Sequence, residues 1–76
     1  MKPSHKQITF LSSMLKEDEA LQKHFDMERA YDKLMNIRTY NLYRYILHLY
    51  INKHRSKLNT ILTQLGFKAK KYEYTH

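Results

Sequence analysis

The segment TYNLYRYILHLYINKHRSKLNTILTQLGF, residues 39–67, decides the fold. Its apolar residues recur at helical spacing. Leu42, Tyr43, Ile46, Leu47, Leu49, Tyr50 and Ile51 spread over more than half the circumference of a helix that Thr39 can cap. A helix this apolar needs cover on two sides, which makes it the expected centre of the fold. Leu58, Ile61, Leu62 and Leu65 continue the line of Tyr43, Leu47, Ile51 and His54. The periodicity fits one helix over 40–65. It fits equally a break near His54–Ser56, with Ser56 capping a short further helix. Gly66 then stands where a helix end takes a positive φ, and Phe67 would fold back onto Leu62 in a Schellman stop.

Working outward, glycine and proline are nearly absent: one Gly, one Pro. Tight turns of a small sheet need these residues, so helices are expected throughout. Ser4 and Gln7 form a capping-box pattern ahead of Ile8, Leu11, Met14 and Leu15. The run KEDE at 16–19 interrupts that stripe, and Asp18 can cap a second helix over 19–36. On it Leu21, Phe25, Met27, Tyr31, Leu34 and Met35 fall on one broad arc, although Glu28 and Asp32 intrude on its edge. The prediction is an all-α fold, a small helical-hairpin-like bundle of three or four helices. It occupies residues 1–67, and 68–76 form a frayed basic-aromatic tail.

The chain has 76 residues, enough for a single domain. Cores of this size rarely supply more than about 3–5 kcal/mol. With no Cys there is no disulfide to help, so self-association as a homodimer is expected. The start MKPSHKQITF lacks a continuous apolar core, so no secretory signal is expected. The most apolar run, 41–51, is far shorter than the roughly 20 residues of a membrane-spanning helix. The reading is a cytoplasmic protein with no membrane association. Abundant Lys, Ile, Asn and Tyr suggest an AT-rich coding sequence, as in a low-GC bacterium, its phage or another mobile element.

Charge is the strongest functional hint. The net charge is +7, but residues 1–32 hold five basic and six acidic side chains, whereas 33–76 hold nine basic side chains and one acid, Glu73. On a helical wheel Asn41, Arg44, His48, Asn52, Arg55 and Asn59 gather on one side, undiluted by carboxylates. Such a face suits nucleic acid, DNA or RNA. Arg44, Arg55, Lys57, Lys68, Lys70 and Lys71 would contact phosphates, while Asn52 and Tyr72 would meet bases. A solvated helix face has the same composition, and the acidic second helix could simply neutralise the basic third one. The expectation is a basic nucleic-acid-binding or regulatory accessory protein. The alternative is a protein-binding adaptor or inhibitor. It would dock an acidic partner through Leu42, Ile46, Leu49 and Tyr50 on the apolar helix 42–51.

Other constellations lead less far. His48 and His54 are six apart, on different faces of one continuous helix, and His24 with Glu28 is half a site. No catalytic arrangement or phosphate-cradling loop is visible, so neither enzyme activity nor a metal or cofactor is expected. A helix-turn-helix can be tried on 39–65 with 56–65 as recognition helix. Against it stand the missing glycine turn and the uncharged outer residues Asn59, Thr60, Thr63 and Gln64.

Overall fold

The computed structural model describes residues 1–70. Among these, five helices and two two-residue strands follow in the order α1 (His5–Lys16), α2 (Glu19–His24), β1 (Phe25–Asp26), α3 (Ala30–Leu34), α4 (Tyr40–Ile51), α5 (Arg55–Gln64) and β2 (Lys68–Ala69). The fold is all-α, as expected, with a higher helix count.

The caps read from the sequence are present. The Ser4 hydroxyl accepts from the Gln7 amide (3.2 Å) while the Gln7 side chain accepts from the Ser4 amide (2.7 Å). Asp18 accepts from Leu21 N–H at 3.0 Å, and Thr39 from Leu42 N–H at 3.1 Å. At the end of α5, Gly66 has φ 109°, Gly66 N–H reaches Thr63 O, and Phe67 N–H reaches Leu62 O, each at 3.0 Å. That pattern is a Schellman motif.

The expected helix over 19–36 is not continuous. Phe25 leaves the helix at φ −118°, ψ 152°. Phe25 and Met27 are both buried with Asp26 exposed between them. Burial at every second residue is the period of extended chain, and a helix would turn those two side chains about 200° apart. Phe25 packs edge-to-face on Phe67 at 5.9 Å. The Asp26 carboxylate accepts from Glu28 N–H (3.0 Å) in a tight turn that leads into α3.

The segment expected to fray begins ordered. β2 pairs antiparallel with β1, Phe25 opposite Ala69 and Asp26 opposite Lys68, and Lys70 N–H donates to His24 O at 2.9 Å. Backbone pairing thus carries the domain past Phe67.

The 40–65 segment is two helices. After Asn52, Lys53 takes φ 58°. Lys53 N–H reaches Tyr50 O (3.2 Å) and His54 N–H reaches Leu49 O (2.9 Å). This is a second Schellman motif, built on a lysine. α5 starts at Arg55, so the helix starts before Ser56, and His54 stands at its N-cap without a side-chain capping bond.

α1 packs against α2 and α3, and α4 against α5. One core joins them through Leu11, Leu15, Leu21, Phe25, Leu34, Ile46, Leu49 and Leu62. α4 is not covered on two sides: it buries Tyr43, Ile46 and Leu49, while Ile51 is 69% exposed. Among the described residues no helix is long and apolar enough to cross a membrane.

Candidate nucleic-acid interface

The outer face of α4 follows from what its inner face buries. With Tyr43, Ile46 and Leu49 turned to the core, helical geometry turns Arg44, His48, Asn41 and Asn52 outward. Tyr40 and Tyr45 flank this strip, both exposed. The Tyr40 ring stacks on Tyr43 at 5.8 Å, and the Arg44 guanidinium lies 6.0 Å from the Tyr40 centroid, a cation–π distance. One turn on, the Asn52 amide donates to His48 O at 2.9 Å and lies 3.1 Å from His48 Nδ1.

The turn at 52–54 extends this face. The His48 and His54 rings approach to 6.1 Å. A continuous helix would have separated them; the break after Asn52 brings them together. Among the described residues no group of three or more His, Asp or Glu could hold a metal ion.

α5 buries Leu58 and Leu62 and leaves Ser56, Lys57, Thr60, Thr63 and Gln64 exposed, with Asn59 half-buried. The Thr60 hydroxyl donates to Ser56 O (3.0 Å) and that of Thr63 to Asn59 O (2.8 Å). These side chains therefore lie along the helix and present methyl groups and oxygen lone pairs outward. Neither α4 nor α5 contains a carboxylate.

The sequence-predicted site residues divide. Arg44, Asn52, Arg55 and Lys57 all belong to the α4–turn–α5 unit. Arg55 is half occupied there: its Nη1 lies 3.6 Å from Asp18, a residue only 15% exposed that also caps α2. Tyr50 meets the same carboxylate. Its hydroxyl pKa is raised above 10.0, first by burial, then by the charge of Asp18 and a hydrogen bond to it. Burial, with Tyr40 second, also raises the pKa of Tyr43. Lys68 and Lys70 leave the unit on β2 and its end. Lys68 lines a mixed-charge concavity with Asp26, Glu28, Arg29 and Lys33. Lys71 and Tyr72 lie outside the described residues. Of the four residues assigned to a protein interface, Ile46 and Leu49 are core, turned inward with Tyr43, and Leu42 and Tyr50 are half-buried against that core.

Sequence reasoning missed Lys53 and Ser56 as members of this surface. The acid-free run pointed at both, but their outward placement follows from a turn formed by Lys53, which carries no turn signature. Comparison with known protein families, curated proteins and solved structures finds no match.

Proposed function

We propose that this chain is a small nucleic-acid-binding protein whose contact surface is the outer side of α4, the 52–54 turn and α5. One observation carries the reading. The cations Arg44, Lys53 and Lys57 stand exposed there without an ion pair among the described residues. All six acids of those residues lie between Glu17 and Asp32, and only Asp18 reaches across, to Arg55. A carboxylate beside a cation neutralises part of its field, so cations kept clear of ion pairs attract phosphate at full strength.

In this reading Arg44, Lys53 and Lys57 hold phosphates. Arg55, tied to Asp18, positions the turn. Asn52 has its amide nitrogen committed to His48, so its carbonyl oxygen is the group left for a ligand. Lys70, exposed just past β2, adds to the positive charge of the chain, as does Lys71 in the sequence.

The test is a titration of the whole chain with labelled duplex DNA, single-stranded DNA and RNA at about 50 and about 200 mM salt. With about three phosphate contacts the affinity should fall about 40-fold between the two. Absence of binding to all three at the lower salt overturns the proposal and leaves the protein-partner reading.

A further inference from the structure

Resting on that reading, we infer that α4, the 52–54 turn and α5 act as a helix-turn-helix unit and that the ligand is duplex DNA, with α5 lying in the major groove. Three features of the unit converge on this.

The first is the turn. A helix-turn-helix joins its helices by three or four residues, often with a glycine that permits a left-handed backbone. Here the turn is three residues long, and Lys53 at φ 58° takes the conformation that glycine would supply. The missing glycine is thus a missing residue type only.

The second is the outer face of α5. The helix has ten residues, about 15 Å at 1.5 Å each. Its outermost side chains are Ser56, Thr60 and Thr63, short and polar. Short side chains let a helix sit deep in a groove about 12 Å wide. Lys57 and Gln64 at one edge and Asn59 at the other carry the longer groups. Asn and Gln pair with adenine, and threonine methyls touch thymine. The inner side chains Leu58 and Leu62 stay in the core, so the whole outer face is available without unfolding anything.

The third is what α5 lacks. Single strands are held by aromatic platforms, and α5 has no aromatic residue. On α4 the Tyr40 ring already lies against Tyr43 and Arg44, which leaves Tyr45 as a single exposed ring where a bound strand needs successive ones. Lys53 in the turn and Lys57 at the edge of α5 flank that face and leave its centre uncharged, as backbone contacts flanking a base-reading helix would, and Arg44 adds a cation on the outer side of α4.

The test uses the full chain. A library of random-sequence duplexes is selected on the protein, and the enriched sequence is compared with a scrambled duplex and with its own single strands. The wild type should prefer the enriched duplex over the scrambled one by at least about 10-fold, and over single strands by a similar factor. Thr60→Ser, which removes the methyl and keeps the hydroxyl bond to Ser56 O, and Gln64→Ala, both at exposed positions, should each reduce the preference toward unity while leaving scrambled-duplex affinity and salt slope unchanged. Circular dichroism confirms that both variants stay folded. Steep salt-dependent binding with no enriched sequence, or equal affinity for single strands or RNA, overturns this inference and leaves the broader reading standing. Failure to bind any nucleic acid overturns both.

Discussion

Lys53→Gly should make the protein more stable and a weaker nucleic-acid binder. Lys53 holds φ 58°, the left-handed region, where an L-residue with a Cβ is disfavoured by about 1–2 kcal/mol. The two hydrogen bonds that close the turn are backbone bonds, Lys53 N–H to Tyr50 O and His54 N–H to Leu49 O, and glycine keeps both. Against the relieved strain stands the greater freedom of glycine in the unfolded chain, about 0.5–1 kcal/mol. The net gain is about 0.5–1 kcal/mol, which for a domain this small raises Tm by about 2–8 °C. Gly66→Ala supplies the control of opposite sign. Its φ is 109°, and an added Cβ would stand 3.3 Å from Lys33 Cδ, so Tm should fall. Both are read by thermal melting under circular dichroism. In the binding titration Lys53→Gly removes one phosphate contact, lowering the salt slope by about 0.9 and the affinity at low salt. A lower Tm for Lys53→Gly would refute the strain argument. A higher Tm with unchanged binding would keep the strain and remove Lys53 from the interface.

Arg44→Ala should lower the salt slope by about 0.9 and leave Tm within a few degrees, since the side chain is exposed. Asp18→Ala should destabilise by about 1–2 kcal/mol, mostly through the lost cap of α2. Asp18→Asn, which keeps a capping oxygen, should cost less than half of that in urea denaturation, because the Arg55 pair is half exposed and weak. Tyr43 and Tyr50 ionise above 10.0 in the folded state, chiefly through burial. The folded protein then holds protons that the unfolded chain releases, so stability is complete below pH 10 and declines as pH rises beyond it. Tyr50→Phe should flatten that decline in melts taken across the alkaline range, and an unchanged profile would remove Tyr50 as a source.

How much of this was legible depended on whether a residue's role was local. Ser4, Asp18, Thr39 and Gly66 act on backbone groups two or three residues away, and each was read from its neighbours alone. The stripes Ile8–Leu11–Leu15 and Tyr43–Ile46–Leu49 were read the same way. Phe25 was not, because its extended backbone answers to Phe67 and Ala69, more than forty residues on. An arc wide enough to hold both Phe25 and Met27, about 200° apart on a helix, together with the Glu28 carboxylate on its edge, was the sign that no helix passes there.

The candidate site repeats this pattern with the opposite outcome for charge. The gap in acids between Asp32 and Glu73 was visible in the sequence, and it does correspond to two helices without a carboxylate. Which cations share a surface was not visible. That depends on the break after Asn52, and the break depends on a lysine adopting a glycine's backbone. Folding also gives the acids work of their own. Asp18 caps α2 and meets Arg55 and Tyr50, while Asp26 closes the turn into α3. The acidic stretch therefore serves local structure, and among the described residues its ion pair to the α4–α5 unit is the Asp18–Arg55 one, while Asp18 also shares a concavity with Lys53. A chain whose bipolar charge existed to hold its halves together would pair them broadly. Here Arg44, Lys53 and Lys57 are left exposed and without an ion pair among the described residues, as the proposed phosphate contacts would require.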